Sequence, residues 1–302
     1  MKGKRMSPPK GYRKNADVPS IDPTATNTSS VVPTKSTNVD CEALNKKNIN
    51  GQEWEAIIKD FEEIKKDHPH KSEVQKWEDV YVSAKNMFKV LLFGPPGNGK
   101  TKSAQVISNY FNRRLIDITF TPETPGYEVR GNMYPQVNGT LKWTDGPVLD
   151  AFRNGHTLCA NELHRAGDDT QALLLAVTSD KDVAMLTLPT GEEVRPHRRF
   201  KIIATMNEDP KEVLDPALND RFVIQFHLKI INPMASKALV PDLKNIADNQ
   251  IYNPDEHDRW MSLRKLFAFQ GLRQRFDETF AARTVFGKNE GQEFIHSLAI
   301  GK

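Results

Sequence analysis

One segment of the sequence has the residue types and spacing of a phosphate-binding loop. It consists of Gly94, Pro95, Pro96, Gly97, Asn98, Gly99, Lys100 and Thr101. Its glycines would let successive backbone N–H groups turn toward a phosphate, Lys100 would reach the β and γ phosphates, and the Thr101 hydroxyl suits Mg²⁺. A helix predicted from near Thr101 would add positive potential at its N-terminus. We therefore predict that this loop binds ATP with Mg²⁺; the alternative is a glycine-rich turn with an unrelated lysine.

A second polar pair, Asn161 and Glu162, follows the apolar run Thr157–Ala160. At the end of a buried strand, Glu162 is expected to polarise the attacking water. Asn161 stands where a carboxylate would hold the water shell of the metal, so Thr101 and Asn161 are the predicted metal-site residues. An amide lacks the negative charge that helps to retain Mg²⁺, so we expect weakened hydrolysis. The alternative role of Glu162 is to cap the helix predicted through Ala172–Leu175.

Two later segments add an amide and an arginine. Asn207 ends the apolar segment that begins at Phe200 and could orient the water beside Glu162. Arg221 precedes the apolar run Phe222–Ile224, and an arginine supplied to a γ-phosphate stabilises transition-state charge. The alternative for Arg221 is a surface or salt-bridged arginine.

These residues fall within a recurring strand, loop and helix pattern. The candidate strands, 90–93, 114–119, 157–160 and 201–205, have the short apolar character of parallel strands covered on both faces. Ligands bind at the carboxyl ends of such strands. Two amphipathic helices are predicted ahead of the first strand, from the helical spacing of Trp54, Ile57, Ile58, Phe61 and Ile64 and of Trp77, Val80, Tyr81, Ala84 and Phe88.

Composition divides the chain into three predicted parts. Residues 1–50 are rich in Ser, Thr, Asn, Pro and Lys and are expected to form a disordered polar tail. Residues 51–228 are predicted to form an α/β core, and residues 229–302 a small helical lid domain.

Bulk properties exclude several classes of protein. Forty-two basic and 39 acidic residues leave a net charge of +3, which gives no argument for nucleic acid or an anionic membrane as a partner. Two cysteines give no disulfide framework, and no apolar run is long enough for a membrane span. We expect a cytoplasmic protein without a membrane partner.

The order of the segments resembles the AAA+ ATPases, and specifically their MoxR-like, dynein-related branch, over about residues 88–228. Besides the phosphate loop, the resemblance rests on Thr119–Thr124 leading to Gly131, Trp143–Val148, Asn161–Ala166, the strand ending in Asn207, and Pro216–Phe222. It implies a P-loop NTPase αβα sandwich with a parallel sheet, followed by a helical lid. It also implies a homo-oligomeric ring, usually a hexamer, with ATP at the subunit boundaries.

The resemblance assigns roles to individual residues. Glu162 corresponds to the catalytic base, Asn207 to sensor one, Arg221 to an arginine finger donated to the neighbouring subunit, and Arg165 to a second interface arginine. For sensor two, the lid arginine that contacts the γ-phosphate, the candidate is Arg283, with Arg273 and Arg275 as rivals.

Two further segments are similar to family insertions expected to face the pore of a ring. Tyr127–Leu141 resembles the helix-two insert, and Val183–Val194 resembles the hairpin before sensor one. For Tyr127 and Tyr134 the alternative is packing within the hairpin.

Three functions remain open at this stage. The first is an ATP-driven remodeller or activator of an unidentified protein client. The second is a nucleic-acid motor, for which the sequence offers no recognition domain or long basic stripe. The third is a nucleotide-binding regulatory module with little hydrolysis, for which Asn161 is the best argument.

Overall fold

A computed structural model describes residues 51–207, 209–255 and 260–300 of the chain. The predicted polar tail, residues 1–50, lies outside these described residues. Within them, no helix is long and apolar enough to cross a membrane.

A parallel sheet lies at the centre of the fold. The strands of the described chain are β1 (Lys89–Phe93), β2 (Leu115–Thr119), β3 (Gly131–Pro135), β4 (Leu141–Asp145), β5 (Thr157–Asn161), β6 (Leu186–Thr187), β7 (Glu193–Val194), β8 (Lys201–Met206) and β9 (Gln225–His227). Five of them form one sheet in the order β2-β5-β8-β1-β9, and all four pairings are parallel. The β1 strand therefore lies inside the sheet, and the loop that follows it opens at the carboxyl edge.

The described chain has helices that pack on this sheet and helices that follow it. They are α1 (Gly51–Asp67), α2 (Lys71–Asn86), α3 (Lys100–Tyr110), α4 (Gly126–Arg130), α5 (Pro147–Asn154), α6 (Asp168–Val177), α7 (Pro210–Val213), α8 (Pro216–Arg221), α9 (Pro233–Ser236), α10 (Pro241–Asn249), α11 (Leu263–Arg273), α12 (Glu278–Phe286) and α13 (Lys288–Ile300), with a 3₁₀ turn at Leu163–Arg165.

The two faces of the sheet contribute to two apolar clusters because side chains alternate along each strand. Leu92 and Cys159 belong to a cluster that includes α1, α2 and α3. Its largest fully buried side chains on the first two helices are Trp77, Tyr81 and Phe61. Leu158 belongs to the other cluster, together with residues of α5 and α6. This arrangement confirms the predicted αβα sandwich, and it confirms the two amphipathic helices before β1.

Two antiparallel hairpins interrupt the α/β pattern. The β3–β4 hairpin lies between β2 and β5 along the chain, and the β6–β7 hairpin precedes β8. The side chains of Tyr127 and Tyr134 are 52% and 49% exposed, so packing within the hairpin does not account for them.

The C-terminal helices α9–α13, called the lid below, form a third apolar cluster of their own. Ile230 is the last buried residue of the sheet cluster along the chain, and Ile231 is the first of the lid cluster. Backbone and side-chain bonds tie this region to the β1 loop: Leu263 N donates to Gly97 O at 2.9 Å, and Trp260 Nε1 donates to Pro96 O at 2.9 Å. The lid therefore holds the loop that was predicted to bind phosphate.

Candidate functional site

The loop between β1 and α3 has a backbone that only glycine accommodates. Gly94 has φ 141° and Gly97 has φ 70°. A Cβ on Gly94 would lie 2.3 Å from Leu228 O, and one on Gly97 would lie 2.5 Å from Ser262 Cβ. Both glycines have a positive φ, and the absence of a side chain lets Leu228 and Ser262 of the same chain approach them closely. The loop has the shape of a backbone cradle for an anion.

Lys100 is buried inside this loop, with a relative exposure of 6%. Its Nζ donates hydrogen bonds to Gly94 O at 2.9 Å and to Pro95 O at 2.8 Å, and reaches Asn98 Oδ1 at 3.2 Å and Asn207 Oδ1 at 3.3 Å. Burial lowers the pKa of Lys100 to about 7, and the negative charge of Glu162 opposes this shift. An anionic phosphate beside Nζ would offset the cost of burying its charge.

Asn161 lies at the centre of a hydrogen-bonded group at the carboxyl edge of the sheet. Its Oδ1 accepts hydrogen bonds from the hydroxyls of Thr101 and Thr205, both at 2.8 Å. Its Nδ2 donates to the carboxylate of Asp117 on β2. Because a carboxylate can only accept, this network fixes which end of the amide faces β2. Burial, followed by the charge of Asp117, raises the pKa of the neighbouring Cys159 thiol, so that sulfur is not a ready nucleophile.

Glu162 occupies a strained backbone position directly after β5. Its φ is 53° and its ψ is 43°, the left-handed region that non-glycine residues enter at a cost of about 1–3 kcal/mol. Its Oε1 accepts a hydrogen bond from Asn207 Nδ2 at 2.8 Å. Its Oε2 is buried without a hydrogen-bond partner, although Arg165 Nε lies 3.5 Å away. Glu162 makes no side-chain capping bond, and α6 begins after Gly167, so the geometry does not favour the capping alternative.

The predicted arginines occupy different places. Arg165 lies beside Glu162 with its side chain 56% exposed. Arg221 ends α8, does not line the cavity described below, and has no hydrogen bond or ion pair with any described residue.

The lid arginine predicted from the sequence does not fit the site. Arg283 lies on α12, where its guanidinium sits 6.0 Å from the centre of the Phe280 ring, and it does not line the cavity. Its rival Arg273 is bound by both oxygens of Asp242, at 2.6 and 2.8 Å, and Arg275 is also absent from the cavity lining. The lid arginine that lines the cavity is Arg264, in the first turn of α11.

Sequence reasoning missed Arg264 and Asp117. Arg264 is brought to the loop by the bond between Leu263 N and Gly97 O, a contact between distant parts of the chain that leaves no local pattern. Asp117 lay within a predicted strand, but an acid between two apolar neighbours is also typical of an ordinary half-exposed strand position.

These groups surround one cavity of about 760 Å³, a size suited to a small-molecule ligand such as a nucleotide. It is lined by the loop and the start of α3, by the carboxyl ends of β2, β5 and β8, and by α11; its polar members include Lys100, Thr101, Asp117, Asn161, Glu162, Thr205, Asn207 and Arg264. A buried lysine in a glycine cradle fits phosphates, and the hydroxyl, amide and carboxylate oxygens fit Mg²⁺ with its water shell. The residues therefore fit both groups.

Comparison with known proteins gives a family match and several relatives. The model of an AAA domain of the dynein-related subfamily matches residues 89–222. The uncharacterized protein YojN of Bacillus subtilis (strain 168) is 35% identical over 143 residues, with 45% of this chain and 46% of that protein covered. The uncharacterized protein SH1500 of Staphylococcus haemolyticus (strain JCSC1435) is 32% identical over 158 residues, covering 49% and 59%. A crystal structure of NtrX from Brucella abortus is 17% identical and covers 75% of this chain and 67% of that one, with a TM-score of 0.43. The chain thus spans about half the length of the first of these relatives.

Proposed function

We propose that this chain, whose residues 89–222 belong to the dynein-related subfamily of AAA domains, binds ATP with Mg²⁺ in the cavity and hydrolyses it. The observation that carries the proposal is the linkage of Lys100, Asn207 and Glu162. Asn207 accepts from Lys100 Nζ at 3.3 Å through its oxygen and donates to Glu162 Oε1 at 2.8 Å through its nitrogen. One amide thus connects the predicted phosphate-binding cation to the predicted base.

The phosphates are held by the loop. Backbone N–H groups at the start of α3 supply hydrogen bonds, and the helix N-terminus adds positive potential. Lys100 supplies a charge-assisted hydrogen bond, and Arg264 approaches from the lid side of the cavity. When bound, Mg²⁺ neutralises charge on the phosphate oxygens. Thr101 and the Asn161 group line the part of the cavity next to α3 and would hold the metal and its water shell.

Glu162 polarises the attacking water. Its side chain is held by Asn207 on one oxygen, and the other oxygen is the one that lacks a hydrogen-bond partner among the described residues. That acceptor would take a hydrogen bond, and then a proton, from a water once the carboxylate turns this buried oxygen toward the cavity. The positive charge of Arg165, 3.5 Å from this oxygen, would weaken its hold on the proton.

Assembly into a ring, with a hexamer as the family precedent, completes the site in this proposal. Arg221 lies outside its own cavity and is unpaired in the described chain, which suits a residue donated to a neighbour. The β3–β4 hairpin carries exposed apolar side chains, among them Val137 and Leu141 at 111% and 61%, which suits contact with a protein client. We therefore favour a remodeller or activator of protein partners, similar to the MoxR branch.

Binding and turnover of ATP test this proposal directly. We expect Lys100→Met to lose binding of a fluorescent ATP analogue, because it removes the buried cation. We expect Glu162→Gln to keep binding and to lose hydrolysis by about a hundredfold or more. Lys237→Met, on a surface lysine paired with Asp60, is the matched control and should behave as the parent protein.

The outcomes separate the three functions. Unchanged binding in Lys100→Met would remove the phosphate-loop assignment. Stimulation of turnover by nucleic acid would favour a nucleic-acid motor, and tight binding without turnover in the assembled parent protein would favour a regulatory module.

A further inference from the structure

The cavity contains two acidic side chains in its described lining, Asp117 and Glu162. Glu162 already has Asn207 on one oxygen and Arg165 near the other. Asp117 has no ion-pair partner among the described residues, and its side chain is exposed to the cavity. It is therefore the acid that remains available to a cation.

Asp117 reaches Asn161 because of the register between their strands. In the β2–β5 pairing, Asp117 is opposite Cys159, and Thr119 is opposite Asn161. Residues two apart on a strand point to the same face, so Asp117 lies on the same face as Asn161, one step earlier and across the strand gap. This placement lets Asn161 Nδ2 donate a hydrogen bond diagonally across the two strands to Asp117 Oδ1.

Asn161 itself is poorly suited to replace a carboxylate. It is buried, with 7% exposure, and its oxygen already accepts from Thr101 and Thr205. A neutral amide with an occupied oxygen adds no charge for a divalent cation. It can, however, hold the hydroxyl of Thr101 on one side and the carboxylate of Asp117 on the other.

We propose that Asp117 carries the negative charge of the metal site, and that Asn161 positions it. The acid of the site thus lies on β2 and not at the end of β5, and the amide of Asn161 connects it to Thr101. This inference rests on the proposed nucleotide function. It adds Asp117, which lies outside both the phosphate loop and the Asn161–Glu162 pair, to the residues of the metal site.

A consequence follows for Asn161→Asp, the substitution that would restore an acid at the end of β5. In the parent chain the amide donates to Asp117, but an aspartate there would place two carboxylates in contact. Like charges at this distance repel each other, so the substitution alone should not improve the site. It should improve the site when Asp117 becomes an amide.

The test compares nucleotide affinity with Mg²⁺ and with EDTA for the parent protein, Asp117→Asn, Asn161→Asp and the double exchange. Each uses the full chain, a fluorescent ATP analogue and a thermal melt as a folding control. The Mg²⁺ gain is the ratio of the affinity with Mg²⁺ to the affinity in EDTA. We expect this gain to be about tenfold smaller in Asp117→Asn than in the parent protein, while affinity in EDTA stays the same or rises. We expect the double exchange to recover that gain, because it again has one acid and one amide. Asp180→Asn, which removes an exposed acid paired with Lys89, is the control of equal net charge and should match the parent protein.

A readout independent of nucleotide fluorescence uses the metal. Electron paramagnetic resonance of Mn²⁺ in the presence of ATP should show weaker Mn²⁺ binding in Asp117→Asn and recovery in the double exchange. A parent-like Mg²⁺ gain in Asp117→Asn would overturn the inference and leave the phosphate loop intact. A folded double exchange that binds in EDTA but does not recover the Mg²⁺ gain would also overturn it. Failure of the parent protein to bind nucleotide in either condition would overturn the proposed function and this inference together.

Discussion

Arg264 approaches the cavity from the first turn of α11, next to the residue whose backbone binds Gly97. Burial is the main cause of the low pKa of Lys100, and the positive charge of Arg264 lowers that pKa further. Two cations that repel each other without a ligand are stabilised together when a polyphosphate lies between them.

We expect Arg264→Ala to weaken ATP binding by about tenfold, the scale of one hydrogen bond to a charged group. Arg283→Ala is the matched control, since Arg283 is also a lid arginine but lies over Phe280. A titration with a fluorescent ATP analogue measures both. Equal weakening in the two variants would mean that the effect comes from lid stability, and loss in Arg283→Ala alone would restore the assignment made from sequence.

The site residues that can be predicted from the sequence are those that act together with their neighbours in the chain. The phosphate loop is contiguous, so its glycines, Lys100 and Thr101 identify one another. Asp117 and Arg264 act through long-range contacts: Asp117 needs β2 to pair with β5, and Arg264 needs the start of α11 to contact Gly97. Neither pairing can be derived from local spacing.

At the scale of elements, the inner strands β1, β5 and β8 could be predicted because nearly all of their residues are buried. The last strand differs. The apolar run Phe222–Ile224 precedes β9, which comprises Gln225–His227 at the edge of the sheet. Phe222 is fully buried, whereas Val223 is 81% exposed, so the run reflects the packing of one side chain in the core rather than strand periodicity.

Lys201 links the start of β8 to the end of α2. Its Nζ donates to Lys85 O at 3.1 Å and to Met87 O at 2.6 Å, which satisfies carbonyl groups left open at the helix terminus. Burial, then the positive charges of Arg113 and Lys181, lower the pKa of Lys201 to about 7. A neutral amine still has two N–H groups, enough for both carbonyls, so deprotonation removes the buried charge without breaking this link.

This lowered pKa predicts how stability depends on pH. Between about pH 7 and the ordinary lysine value of 10.5, the unfolded chain binds more protons at Lys201 than the folded chain does. The contribution of Lys201 to the free energy of unfolding should therefore rise with pH across this window and be constant below it. Denaturant unfolding of the parent protein and of Lys201→Met at several pH values measures the difference, with Lys237→Met as the surface control. A difference that does not increase with pH would contradict the prediction.

At the scale of the whole molecule, the cations that line the described part of the site all come from one chain. In the described lining these cations are Lys100 and Lys102 at the start of α3 and Arg264 in the lid. Arg221 lies just before the edge strand β9 and has no described partner. A guanidinium at the edge of the core is available to a second copy of the chain, and there it would add positive charge only after assembly.

We therefore predict that Arg221 acts in trans. Arg221→Ala keeps its own phosphate loop but cannot serve a neighbour, whereas Lys100→Met has lost the loop lysine but keeps Arg221. Each variant alone should hydrolyse ATP roughly a thousandfold more slowly than the parent protein, the scale of arginine fingers. A mixture should recover turnover, because some interfaces then join an intact loop to an intact arginine.

Three measurements make this prediction decisive. Turnover of the mixed variants should rise after subunit exchange, which differently labelled proteins can verify by energy transfer.

Turnover of the parent protein should rise more steeply than linearly with protein concentration near the assembly threshold, since hydrolysis then requires a neighbour. Arg114→Ala, which removes an exposed arginine that directly precedes β2 and pairs with Asp150, is the control and should keep parent turnover. Normal hydrolysis by Arg221→Ala, or a mixture that stays inactive although its subunits exchange, would show that Arg221 does not complete a neighbour's site. Hydrolysis would then have to come from groups within one chain, with Glu162 and Arg165 as the nearest pair.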